Sequence, residues 1–576
     1  MRKLLGKRNT VIIYGLVLCV LAAITVICPP YYSMNDDVMM KSILSGTYTG
    51  VPDGHAVYMK YPLTGLISLL YRLTGAVSWF DLFMAGSLWI SIGAVITRTL
   101  KKTAGCVREK KILLVSAAAS LCVALFFPQL LTMHYTLVAA IVGSCAVFLV
   151  TTGGGYFWVV LLVLCYCIRS QVFFLTLPFL LVAVLWYLLS RWHDKERKKL
   201  LLVQIAALFI GILVCMLWNG LMYSAKDWQQ YLDYNDSRTR LYDYEKLLPY
   251  EENEAFFEQA GISAKEHRLL DEYGLVLDGD IGRDMLEKAA DITAEKKAGQ
   301  TELMQELVGC VKEYYYHVRY NDLPYNLLMV AGYLLTLAIL IRKRQVLKGL
   351  LLGCMAGGRS LIWIYLIWRG RFPERVYVSL YFLDLMILAG MLVELFCTSS
   401  QDPKNKKVSL GRYLPGILGG LTCAGLLVIG AGQLEIMKDR TREQAERQKR
   451  WDAMVEYTKG QEDTLCILDV YSMVDYTDKV WSTGQGREKY LLAGGWMSGS
   501  PLLQERLRNA KDGGVLLERA ADRGDCCYII GTDRGIDWLQ EYCTTRFEGF
   551  YLEKTDTISL DGKDIFYVYR PVKTLR

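Results

Sequence analysis

The sequence lacks the ligand patterns of a metal protein or a disulfide scaffold: its 16 cysteines include no CxxC pair and no Cys/His spacing suited to zinc. Most lie inside apolar segments (Cys19, Cys122, Cys145, Cys165, Cys167, Cys215), where Cys behaves as a small hydrophobe. There is no glycine-rich phosphate fingerprint either, and Gly494, Gly495, Gly499 and Pro501 punctuate a turn-rich loop. The stretch LDGDIGRD at 277–284 lacks the acid spacing and closing Glu of a calcium loop. No A-x-A cleavage site follows the first apolar run, which favours a retained span over a signal peptide. The net charge of +7 carries no nucleic-acid footprint, because Lys and Arg cluster between apolar blocks.

What the chain has in abundance is apolar length. Of 576 residues 53% are hydrophobic, in blocks of about 20, which is the length that crosses a bilayer. Spans are expected at 11–28, 79–100, 112–127, 132–150, 156–168, 172–189, 200–223, 327–341, 347–368, 376–397 and 413–433. That makes about eleven transmembrane helices, of which 156–168 is the shortest. The run 63–76 is too short to span and carries Arg72, so it reads as a helix lying at the interface.

Alternate connections are basic at 98–111, 191–199, 342–348 and 404–412, whereas 128–131 and 169–171 carry few cations. The positive-inside rule then places the amino terminus in the cytoplasm. It places three polar regions outside the plasma membrane. These are a first loop at 29–62, an insert at 224–323, and a carboxy-terminal region at 434–576 following the 1–433 membrane domain. The insert holds 22 Asp and Glu against 12 Lys and Arg. Its middle reads as short amphipathic helices such as 283–298, the bland interpretation being a solvated helical cap. In the last region strand-like runs at 464–470, 527–530 and 565–569 alternate with helical candidates at 501–510, 515–521 and 536–542, the pattern of a small α/β domain. Cys466, Cys526, Cys527 and Cys543 lie there in numbers that leave their pairing open.

Candidate chemistry gathers at the outer boundary. Asp36 and Asp37 follow the first span and share their loop with Lys41, His55 and Lys60. Arg169 and Gln171 belong to IRSQ, and Arg369, Arg371, Glu374 and Arg375 to WRGRFPERVY. Ionisable groups at a membrane boundary are costly unless paired or hydrated, so they mark functional sites by default. Carboxylates opposite arginines suit a phosphate-bearing substrate, because Arg binds phosphate bidentately and stays charged. A hard cation, Mg²⁺ or Mn²⁺, would take Asp36 and Asp37, although the chemistry does not require one. The structural alternatives are a helix start for the two acids, headgroup anchoring for the arginine cluster, and snorkelling for Arg169. His134 in QLLTMHYT reads as pore-lining or interfacial rather than metal-binding.

A first span, an outer loop with the acidic pair NDD at 35–37, an interfacial helix, many further spans and an outer carboxy-terminal domain together resemble the GT-C superfamily of membrane glycosyltransferases. The match extends to RSQ at 169–171 and GRFPERV at 370–376. The resemblance implies a polyprenyl-phosphate-linked sugar donor and an acceptor that is a glycan, lipid or protein. It also implies direct transfer with inversion and a catalytic Asp in the first outer loop, with Asp36 preferred over Asp37. Arg169, Arg369, Arg371, Arg375 and Lys60 would hold the donor phosphate, with His55, Gln171 and Glu374 nearby. The large insert departs from that pattern. Rival functions are a transporter or flippase of lipid-linked sugars, which predicts repeats, broken helices and mid-membrane charges, and a non-catalytic component of surface-polysaccharide assembly.

Overall fold

A computed structural model describes residues 2–279, 281–300, 303–398, 414–461, 464–474, 476–483, 488–509, 526–546 and 549–573. Among these, ten helices are long and apolar enough to cross a membrane. They are α1 (Arg2–Ile27), α4 (Trp79–Lys102), α5 (Arg108–Phe126) continued by α6 (Pro128–Leu131), α7 (Tyr135–Thr152), α9 (Ser170–Ser190), α10 (Lys195–Met222), α16 (Tyr325–Arg342), α17 (Val346–Trp368), α18 (Glu374–Thr398) and α19 (Leu414–Gly460). The twelve-residue α8 (Phe157–Ile168) is the short eleventh. The chain is thus a polytopic helical membrane protein. At 63–76, where an interfacial helix is expected, lies the short helix α3 (Tyr61–Leu73), which buries Leu63, Ile67 and Tyr71 and leaves Leu66, Leu69 and Leu73 exposed.

At the centre stands α7, all of whose residues are buried. Its sequence, YTLVAAIVGSCAVFLVTT, is apolar or small on every side, and a helix of that kind belongs inside a bundle. The helix of the last span does not stop near residue 433. Helix α19 runs unbroken for 47 residues, carrying its charged second half into the polar cap.

The cap differs from two separate outer regions. The insert contributes α11 (Lys226–Thr239), α12 (Glu254–Gln259), α13 (Ala264–Asp271), α14 (Arg283–Gln300) and α15 (Leu303–Tyr316). Its apolar residues Leu241, Phe257, Leu270 and Leu277 share one core with Ile467, Leu491, Tyr528 and Leu539 of the carboxy-terminal region. A main-chain bond from Val276 N to Ala493 O, 2.9 Å, ties the two together. Leu277→Ala, at a fully buried position of this shared core, is expected to cost about 2–5 kcal/mol in unfolding measured in detergent. The end of the insert leaves the cap altogether. The indole of Trp368 donates to Glu306 at 3.2 Å and Tyr314 bonds Ser360 at 2.7 Å, so α15 descends antiparallel along α17.

The carboxy-terminal sheet is mixed, in the order β4-β3-β5-β7-β6. Strands β3 (Leu465–Leu468), β4 (Tyr490–Leu492) and β5 (Cys526–Gly531) are parallel, and β6 (Phe550–Leu560) with β7 (Lys563–Lys573) forms an antiparallel hairpin. The hairpin turns at Asp561 (φ 53°) and Gly562 (φ 77°), the Asp-Gly pair that suits the twist of flanking strands. The expected helices at 501–510 and 536–542 are present as Pro501–Asn509 and Asp537–Arg546. The basic stretch 404–412 and the expected helix 515–521 lie outside the described residues.

Candidate functional site

The site is organised by α2 (Asn35–Ser45). Asp36 and Asp37 occupy its first turn, where carboxylates complement the helix dipole, so the helix-start interpretation of the pair holds alongside any chemical one. The helix ends at Gly46, whose φ of +85° no L side chain adopts easily and whose added Cβ would stand 2.6 Å from Pro52 N. Strand β1 (Tyr31–Tyr32) pairs with β2 (Thr132–Met133), bringing the loop against the start of α7. The carboxy-terminal region clamps the same loop through Val480 N to Pro30 O (3.0 Å), Thr477 Oγ1 to Tyr32 O (2.7 Å) and Glu488 N to Thr47 O (3.0 Å). Lys41, buried on α2, pairs with Asp81 at 3.0 Å and donates to Ser482, and burial lowers its amine to about 8.

Helix geometry sends the two neighbouring acids different ways. Asp36 is half-buried and lines a cavity of about 280 Å³ at the capped end of the bundle. Asp37 is fully buried and does not line it. Its Oδ1 accepts the Tyr135 N–H at 2.9 Å and its Oδ2 stands 4.0 Å from His134 Nδ1, which itself accepts the Thr136 N–H. Burial raises the Asp36 carboxyl above the usual range, opposed by Arg375, Arg169 and Arg238. Asp37 is raised well above it, again by burial, with its backbone hydrogen bond pulling the other way. His134 is driven well below the ordinary imidazole value by burial, then by Arg375 and Arg169.

Of the cations expected at the site, three line the cavity. Arg169 lies 5.1 Å from both the Tyr58 and Tyr135 ring centres, and its Nη1 has no hydrogen-bond partner. Arg371 pairs with Asp243 at 2.7 Å, and Arg375 contacts Met34 Sδ at 3.0 Å. Arg371, Arg375 and Asp243 also line a neighbouring hollow of about 480 Å³ walled by Glu313, Ile367 and Phe372, where α15 meets α17.

The remaining expected residues do not line the cavity. Arg369 is exposed over the Tyr244 ring, Gln171 is exposed on α9, and Glu374 is exposed and paired with Arg440 at 3.0 Å. His55 is stacked on Trp228 at 4.3 Å and held by Asp53 and the Met222 carbonyl, an aromatic packing role away from the cavity. Lys60 sits over the Tyr166 ring with its amine lowered by burial and by Arg169, near the site without lining it. Asp36 faces the cavity whereas Asp37 is held against α7. Among the described residues no group of three or more His, Cys, Asp and Glu could hold a metal ion.

The cavity also contains residues with no local signal in the sequence. Arg238, Asp243 and Tyr273 come from the insert, which is therefore more than a solvated cap. Arg238 is buried and fixed by Asn235 (2.9 Å), Tyr273 (2.5 Å) and Thr239 (3.0 Å). The glycine-rich loop after β4 forms another wall through Gly494, Gly495, Trp496, Met497 and Ser498, so its turns serve the site. An added Cβ on Gly494 would fall 1.9 Å from the Tyr273 carbonyl oxygen. Gly494→Ala is accordingly expected to push the loop off the insert, seen as faster hydrogen exchange in both segments with the spans unaffected.

Fold and site together define a polytopic membrane protein whose capped end encloses a cavity lined by three carboxylates and five arginines drawn from different parts of the chain. No protein-family model and no curated protein matches the sequence. Among solved structures it is similar to ArnT from Cupriavidus metallidurans in the apo state, at 11% identity over 98% of each chain with a TM-score of 0.39.

Proposed function

We propose that the chain is a GT-C-type membrane glycosyltransferase that moves a sugar from a polyprenyl-phosphate donor to an acceptor hydroxyl outside the plasma membrane, with inversion at the sugar carbon. The observation that carries this reading is the convergence of Asp36 with Arg169, Arg238, Arg371 and Arg375 on one cavity at the membrane boundary. In the proposed orientation the amino terminus is cytoplasmic and the cap is outside.

A phosphate leaving group departs without protonation, so the step needs fixed positive charge where the phosphate charge develops. Arg371 and Arg375 stand where the two hollows join, open toward α15 and α17, which suits a phosphate whose lipid tail remains in the bilayer. Asp36 then accepts the proton of the attacking hydroxyl. Asp37 holds α2 to α7 by its bond to Tyr135 N and positions its neighbour. Arg359 and Asp384, an ion pair buried between α17 and α18, are mid-bundle charges of the sort a transporter would use. They neutralise each other and neither lines the described cavities, which favours a structural role.

The direct test supplies radiolabelled polyprenyl-phosphate sugars to membranes containing the full chain and follows label into lipid, glycan and protein fractions. Absence of transfer with every donor class would refute the reading. A base must be deprotonated to act, so activity should fall as pH falls through the Asp36 value. Because burial raises that value, the acid limb of kcat/KM is expected above the usual carboxylate value of about 4. Arg375→Gln removes the largest opposing influence and should move the limb upward, as a pH–rate profile would show.

A further inference from the structure

The end of the bundle opposite the cavity carries a cluster of basic side chains around a carboxylate. Five cations, Arg98, Lys102, Arg191, Lys343 and Lys348, lie within electrostatic reach of one buried carboxylate, Glu394 of α18. Lys102 pairs with Glu394 directly, and Arg191 Nη2 approaches it at 3.4 Å. Arg98 donates to the Thr152 carbonyl, and Lys343 donates to that of Leu395. Lys102 and Arg191 thus share Glu394.

Two features mark a place for an anion beside Arg191. The Arg98 and Arg191 guanidinium groups meet across the turn after α7, each with Nη2 3.3 Å from where a Cβ on Gly153 would stand. The Arg191 side chain is only 9% exposed, yet its Nη1 has no hydrogen-bond partner. Beside this turn lies a hollow of about 140 Å³ lined by Gly153, Gly154, Gly155, Tyr187, Arg197 and Gln204. Glycines allow an oxyanion to approach the main chain, and the arginine fork matches phosphate oxygens. The cluster lies at the ends of α4, α9 and α10, at the depth where lipid headgroups sit.

We propose that this pocket binds the phosphate of an anionic phospholipid, independently of any transfer reaction at Asp36. Native mass spectrometry of the full chain in mild detergent tests it, with phosphatidylglycerol, phosphatidylcholine or inorganic phosphate added in turn. The parent protein is expected to retain phosphatidylglycerol under activation that strips phosphatidylcholine. The Arg98→Gln/Arg191→Gln double variant should bind phosphatidylglycerol at least about tenfold more weakly, since charge-assisted hydrogen bonds are lost. Lys348→Gln, a milder change beside Glu394 and outside the hollow, should weaken it less, and the headgroup comparison on the parent protein needs no variant. Equal retention of the two lipids, or undiminished binding by a folded double variant, overturns the proposal. Displacement of phosphatidylglycerol by inorganic phosphate at equal concentration would overturn the lipid assignment, leaving a plain anion site.

Discussion

Asp36→Asn is expected to lower sugar transfer by about 10²–10⁴-fold, the usual contribution of a positioned general base. Asp37→Asn should remain within about tenfold of the parent. The contrast follows from geometry, because Asp36 lines the arginine-rich cavity whereas Asp37 is turned into the bundle. In Asp37→Asn the side-chain amide oxygen can still accept the Tyr135 N–H, so the start of α2 stays in place. The pH dependence of stability supplies a second readout. The Asp37 carboxyl is raised in the fold, so its stabilising contribution is complete below the unfolded value of about 3.9 and declines as pH rises toward the folded one. An amide is neutral throughout, so Asp37→Asn should remove that decline and stand level with or above the parent in stability near neutral pH. Thermal unfolding across pH, run beside the transfer assay, checks both. A large activity loss in Asp37→Asn with Asp36→Asn unaffected would reverse the assignment.

Asp384→Leu is expected to destabilise the protein by about 3–5 kcal/mol, the cost of leaving a buried charge unpaired. Arg359 is 3% exposed and Asp384 fully buried. Arg359 Nε donates to Asp384 Oδ2, Tyr333 donates to the other oxygen at 3.0 Å, and Arg359 Nη1 reaches Tyr314 at 2.9 Å. The network therefore joins α16, α17 and α18 to the descending helix α15. Arg359→Met combined with Asp384→Leu removes both charges and should recover most of the loss, since apolar replacement of a buried pair is often neutral. Unfolding in detergent measures all three variants. A cost below about 1 kcal/mol for the single change would mean that water reaches the pair.

Part of this protein could be read directly from its chain. Span positions follow from hydropathy, because a bilayer demands about 20 apolar residues in succession and that property is local. The carboxylate at 36 and the arginines at 169, 371 and 375 were legible for the same reason: charges at the ends of apolar runs stand out. The Asp-Gly turn at 561–562 was an available signal for the β6–β7 hairpin, and for the second half of the sheet that strand-like runs alone did not reveal.

Which charges converge was not legible. Arg369 and Arg375 belong to one motif, yet Arg369, at the end of α17, is exposed over Tyr244 and Arg375, in the first turn of α18, lines the cavity. His55 looked chemical in its loop and became packing because Trp228, far along the chain, closes over it. Arg238 lay in an acidic insert with no distinguishing pattern, and Gly494 in a loop that read as turns. Both reach the site only because the insert and the sheet bury a common core. The crossings, their basic ends and the acids beside the first span are written locally in the chain, being properties of neighbouring residues against a slab of lipid. That Asp36 rather than Asp37 faces the arginines is a matter of tertiary packing. Two adjacent side chains on a helix point different ways, and only the seating of α2 against α7 and the cap determines which direction is the cavity.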